Sequence, residues 1–118
     1  MTGDDRADMR GRAASELLSL PVRLHGIQLG TPVEALLDAR VDRLLGFEVL
    51  CGDGARRFLP FAVARLQADE IALESALTLI DERDIGYYRR RSRRLAEAGY
   101  ANPWIDEHGG IHETATAA

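Results

Sequence analysis

Between Val22 and Glu74 apolar residues recur at alternate positions in short runs, and most runs stop at Gly, Pro or charged residues. A period of two marks strands with one face buried. Val22 to Leu29 reads as a first strand, with Val22 and Leu24 facing in, Ile27 as a further candidate, and an interruption at Gly26. Gly30-Thr31-Pro32 reads as a turn. Val33 to Asp38 gives a second strand, in which Val33, Ala35 and Leu37 alternate with Glu34, Leu36 and Asp38. After a connection at Arg40 to Asp42, Arg43 to Cys51 forms a third, with Leu45, Phe47, Val49 and Cys51 inward. Gly52-Asp53-Gly54 is a tight-turn sequence, because both glycines accept the positive φ that such hairpins need. Arg56 to Phe61 is a fourth strand bent at Pro60, which has no N–H for a central ladder. Ala62 to Gln67 continues it or starts a fifth, Ala68-Asp69-Glu70 turns, and Ile71 to Glu74 is a sixth.

Short strands at this spacing predict a mainly β fold, a small closed β-barrel of about six strands, since closure removes exposed edges. Leu36, Leu44, Leu50 and Phe58 fall on the outer face of the same strands and need a cover. The pattern after Asp81 supplies one, a C-terminal α-helix over 81–98 packed on the barrel. Its first turn carries acidic residues, Ile85, Tyr88, Ser92 and Leu95 make one stripe, and Gly99 stops it. Gly86 weakens the first turn by about 1 kcal/mol relative to Ala. The domain is therefore expected to span 21–98. Before it lies a flexible segment, 1–20, disordered to about residue 12 and then a short helical turn over Ala13 to Leu20. That turn sets Leu17 and Leu20 on one side and ends at Pro21. Residues 99–118 read as a mobile tail.

With 118 residues the chain has room for one such core. Its net charge of −4 and pI near 5.3 argue against a dedicated duplex-DNA binder. All 15 basic residues are Arg, which reads first as a GC-rich coding bias. The single Cys51 allows no internal disulfide and is expected to be a small buried hydrophobe. The charged start lacks the apolar stretch of a secretory signal, and no apolar run approaches the ~20 residues that span a bilayer. A cytoplasmic protein without membrane insertion is expected.

Candidate chemistry is sparse. Arg89, Arg90, Arg91, Arg93 and Arg94, with Tyr87 among them, could hold phosphate, stack on RNA bases or dock an acidic surface. The plain alternative is a solvated helix face. His108 and His112 share an i, i+4 spacing, but Gly109-Gly110 between them cannot hold a helix. His25 stands beside Gly26 with no nucleophile tied to it. Trp104 either folds back on its own domain or anchors a partner. No catalytic, metal or cofactor residues are expected.

Four segments follow one another in order: Gly30-Thr31-Pro32-Val33, Leu44-Leu45-Gly46-Phe47-Glu48-Val49, Arg57-Phe58-Leu59-Pro60-Phe61 and Glu70-Ile71-Ala72-Leu73. Their order and spacing resemble the PRC-barrel domain, the small barrel of the photosynthetic reaction-centre H subunit and of a ribosome maturation factor. The following helix is similar to the extension of stand-alone members from GC-rich bacteria such as actinobacteria. The resemblance implies a non-enzymatic interaction or adaptor module. Leu36, Leu44 or Leu50 left uncovered would favour self-association as a dimer. Tyr87, Arg89, Arg90, Arg93, Arg94 and Trp104 are the candidate partner-binding residues. The alternative is an RNA- or ribosome-associated factor using the arginine-rich stretch 87–94.

Overall fold

The computed structural model describes residues 11–113, so the disorder expected of 1–10 lies outside the described residues. The long strand β3 (Ile27–Asp38) is the spine of a mainly β fold. β4 (Leu44–Cys51) runs antiparallel along one side of it. The other side is shared: β2 (Val22–Leu24) pairs with its first half, and β8 (Ser92–Arg94) with its end. β5 (Arg56–Pro60) lies outside β4, while β7 (Ile71–Leu73) and β6 (Arg65–Leu66) extend the sheet beyond β2. A second sheet sets β9 (Pro103–Asp106) between β1 (Gly11–Ala13) and β10 (Ile111–Glu113). Two short α-helices complete it, α1 (Ala14–Leu17) and α2 (Ile85–Arg90).

Local chemistry accounts for the turns. His25 and Gly26 both have positive φ, 50° and 82°, which is the conformation of a two-residue hairpin joining β2 to β3. Between β4 and β5 only Gly54, at φ 87°, takes the left-handed conformation; Gly52 does not. Asp53 Oδ1 accepts the Ala55 N–H at 3.0 Å, and Arg57 donates to both Asp53 oxygens.

Several of the sequence expectations need correction. Gly30-Thr31-Pro32 is not a turn but the middle of β3. A Cβ on Gly30 would lie 2.4 Å from the Leu50 carbonyl, so the glycine serves close strand approach. Pro32, opposite Val49, borders a break in register before Glu34, the kind of irregular position where strands tolerate proline. The sheet does not close into a barrel: β5 and β6, at its two ends, are not hydrogen-bonded to each other. Instead Phe58 and Ile80 exchange two backbone bonds along the outer edge of β5. The helix expected over 81–98 stops at Arg90, because the end of β3 that β2 leaves unpaired takes up Ser92–Arg94 as a strand. Satisfying that edge outweighs extending a short helix. Finally, Gly11–Ala13 and the supposed tail from 99 to 113 hold ordered structure. Asp106 Oδ1 accepts the N–H groups of His108 and Gly110, and Gly109 at φ 87° completes the β9–β10 turn.

The inner face of the large sheet buries Val22, Ala35, Leu37, Phe47, Val49 and Leu59, covered by Ala14 and Leu17 of α1 and by Ile105 of β9. Leu17 and Leu20, expected on one side of a turn in a flexible segment before the domain, are instead part of its core, and Cys51 is buried beside Phe47 and Val49 as expected. Leu44 and Leu45 are exchanged relative to expectation. Leu36 and Leu37 pair with Gly46 and Leu44, so Leu45 is the extra residue of a bulge and is turned to the outer face. That outer face is a smaller cluster of Leu36, Phe58 and Ile85, with Leu45, Ile80 and Tyr88 against it. Among the described residues no helix is long and apolar enough to cross a membrane.

Candidate anion-binding cleft

α2 is positioned by what it covers. Ile85 and Tyr88 meet Leu36 and Phe58, and Tyr88 stacks on Phe58 with ring centroids 4.4 Å apart. Such pairs add about 0.5–1.5 kcal/mol to the burial itself. Tyr87 stands edge-on to Tyr88 at 5.0 Å and remains 49% exposed. The Arg91 guanidinium lies 3.6 Å from the Tyr87 ring centroid and donates to the Tyr87 carbonyl at 3.0 Å. Just past β3, the Ala39 N–H donates to the Arg91 carbonyl at 2.9 Å, tying the β3–β4 connection to the end of the helix. Between them lies a cleft of about 530 Å³. Tyr87, Tyr88 and Arg90 line it from α2 and Arg91 from the residue after it, Asp38 and Leu45 from β3 and β4, and Arg40 from their connection.

The arginine cluster does not act as one surface. Arg89 donates to both oxygens of Glu48 at 2.7 and 2.8 Å. Its hydrogen bonds hold the Glu48 carboxyl below the usual range against the opposing effect of burial, with Arg56 assisting. Arg93 is bound to Asp42, whose carboxyl is lowered by a hydrogen bond from Tyr100 and by Arg93 itself. Arg94 pairs with Glu97 at 3.2 Å. Arg90 has no hydrogen-bond or ion-pair partner among the described residues. Arg40 reaches Asp38 only at 3.8 Å, with its side chain 90% exposed. Asp38 Oδ1 is already occupied by the Arg40 N–H at 2.8 Å.

Of the candidate partner-binding residues, the structure brings Tyr87 and Arg90 together at the cleft and places Arg89, Arg93 and Arg94 in ion pairs elsewhere. Trp104 is in β9, stacked on His112 at 4.3 Å and covering Gly11, where a Cβ would come within 2.1 Å of its ring. It folds back on its own domain. His112 lies 2.8 Å from Asp106, and His108 lies beside Glu107. Among the described residues no group of three or more His, Cys, Asp or Glu is placed to hold a metal ion. The surface offered for self-association is mostly spent inside the fold, since Leu36 and Leu44 are 2% and 6% exposed and only Leu50, at 40%, reaches solvent.

Sequence spacing gave no hint of Asp38, Arg40 or Leu45, which join the cleft only because β8 pairs with β3. A larger and more open depression of about 630 Å³ lies beside the β4–β5 turn. Its rim is acidic, with Asp53, Asp81 and Asp84, and its one arginine, Arg57, is engaged by Asp53 and Asp81. No protein-family model matches the chain, and no curated protein is similar enough to count as a relative. The PRC-barrel resemblance thus rests on the residues that carry it.

Proposed function

We propose that the chain is a non-enzymatic binding module, PRC-barrel-like in its strand elements, that docks an anionic group of its partner in the Tyr87–Arg90 cleft. One observation carries this. Arg90, Arg91 and Arg40 converge on a concave site walled by two tyrosines, while Arg89, Arg93 and Arg94 are neutralised by carboxylates of the same chain. Arg90 has no partner among the described residues, Arg91 spends one N–H on the Tyr87 carbonyl, and Arg40 reaches Asp38 only at 3.8 Å, so each keeps donors for an incoming oxyanion. The same distribution weighs against an extended nucleic-acid footprint along 87–94, which needs a row of available cations.

The test is amide chemical-shift mapping of the full chain, titrated with inorganic pyrophosphate and with a short oligo-glutamate peptide. At least one of the probes should shift Tyr87 to Arg91 and Asp38 to Arg40, more weakly as salt rises, and Arg90→Glu should abolish the shifts. Shifts centred on Arg12, Arg23 or Arg65, or none for either probe, would rule the cleft out.

A further inference from the structure

Resting on that reading, we infer that the cleft takes a nucleoside phosphate: a base against the Tyr/Arg planes, a phosphate on Arg40 and Arg90, and a hydroxyl or amino donor on Asp38. Three features separate this ligand from a bare anion or an acidic peptide. At about 530 Å³ the cleft is far larger than a phosphate and falls in the range that encloses whole small molecules. Its walls carry planar groups. Tyr88 is fixed by its stack on Phe58, Tyr87 stands edge-on to Tyr88 at 74°, and Arg91 lies over one face of the Tyr87 ring. Planes of tyrosine and guanidinium are the surfaces on which unpaired bases stack. The third feature is Asp38. A carboxylate in the wall repels a run of carboxylates or phosphates laid across it, which disfavours acidic peptides and polyanions. The same carboxylate accepts from the hydroxyls of a ribose or from an exocyclic amine. Its Oδ1 is held by the Arg40 N–H at 2.8 Å, which orients the group.

The phosphate and base could come from a free nucleotide or from the 5′ end of a single strand, and the experiment separates these. The full chain is titrated with AMP, CMP, GMP and UMP, with ribose 5-phosphate, with a 5′-phosphorylated RNA tetranucleotide and with a tetraglutamate peptide, following the Tyr87 and Arg90 amides. At least one nucleotide should bind about tenfold or more tighter than ribose 5-phosphate, the gain expected from stacking one base. Tyr87→Ala should reduce it to the ribose 5-phosphate level, and Arg40→Glu with Arg90→Glu should remove both. A tetranucleotide binding tenfold better than the matching mononucleotide would identify a strand end as the source; equal affinity would identify the free nucleotide. Ribose 5-phosphate binding as tightly as every nucleotide, or tetraglutamate binding more tightly, would overturn the nucleoside assignment and leave anion docking standing. If no probe binds, both fall.

Discussion

Arg89 of α2 and Glu48 of β4 meet through two hydrogen bonds of 2.7 and 2.8 Å across 41 positions of the chain. The carboxylate is buried and the arginine half-exposed, so the two ends of the pair are not equivalent. Removing the arginine leaves a buried charge with only Arg56, at 3.5 Å, to hold it. Removing the carboxylate leaves a guanidinium that water can reach. Arg89→Met is therefore expected to cost about 2 kcal/mol and Glu48→Met less than about 1 kcal/mol. Urea unfolding of the two variants checks this, and equal losses would mean that packing, not charge, joins α2 to the sheet.

Glu34 has the opposite electrostatic sign. Its Cα partner across the strands is Glu48, and burial raises its carboxyl above the ordinary 4.5; Glu48 and Glu97 push it the same way, and Arg94 and Arg56 offset this only in part. A group whose folded pKa is raised favours the folded state below its unfolded pKa, and that contribution is lost as pH rises through the folded value. Glu34→Gln should accordingly raise the melting temperature at pH 7, with the gain shrinking as the pH falls through the raised folded value and gone below about 4. A gain that persists unchanged in acid would point to hydrogen bonding instead.

Asp53 and Glu48 respond the other way. Arg57 pulls the Asp53 carboxyl down to about 2, helped by the Ala55 N–H, and Arg89 lowers Glu48. Their contributions are present above the ordinary carboxylate range and are lost as pH falls through their folded values. Thermal melts of the wild type and Asp53→Asn should thus converge as the pH is taken from 5 toward 2. Parallel curves over that interval would remove the Arg57 pairing as the cause.

His25 holds φ 50° in an exposed two-residue turn followed by Gly26. Asn adopts that backbone more readily than His, and Asn-Gly is the favoured pair for such hairpins. His25→Asn should stabilise the protein by roughly 0.5 kcal/mol, seen as a higher urea midpoint at unchanged m-value. A lower midpoint would mean that the imidazole makes a contact worth more than the turn.

Ile105 decides whether β9 belongs to the core. It is almost wholly buried among residues of both sheets and α1. Truncation to Ala is expected to cost about 2–4 kcal/mol by cavity formation. A loss below ~0.5 kcal/mol, the size of an ordinary surface substitution, would restore residues 99–113 to the status of a tail.

What could be read from the sequence follows the length of each pattern. The alternation in Arg43 to Cys51 and the Gly-Asp-Gly turn placed β4, its hairpin and β5 nearly as they are, and Ile85 and Tyr88 were legible as the ridge that covers Leu36 and Phe58. Gly30 and Pro32 misled because they are turn residues by composition, yet in β3 they serve strand approach and a register break. Ser92 to Leu95 kept a helical spacing, but an unpaired strand edge far away in sequence reclaimed Ser92–Arg94. β9 and β10 are too short, and too polar around Trp104, to show any period. For the cleft, Tyr87 and Arg90 were visible as a basic aromatic segment. Which arginines were already neutralised depended on Glu48, Asp42 and Glu97, and only folding sets those partners.

β1 leaves the ribosome long before its sheet partner, β9, with Gly11 opposite Asp106. Until β9 follows, that strand has no neighbour in its sheet, and the inner core stays open where Ile105 will close it. A nascent chain stalled before Pro103 should hence be held as a protease-sensitive intermediate, and acquire resistance in one step once the closing hairpin clears the exit tunnel.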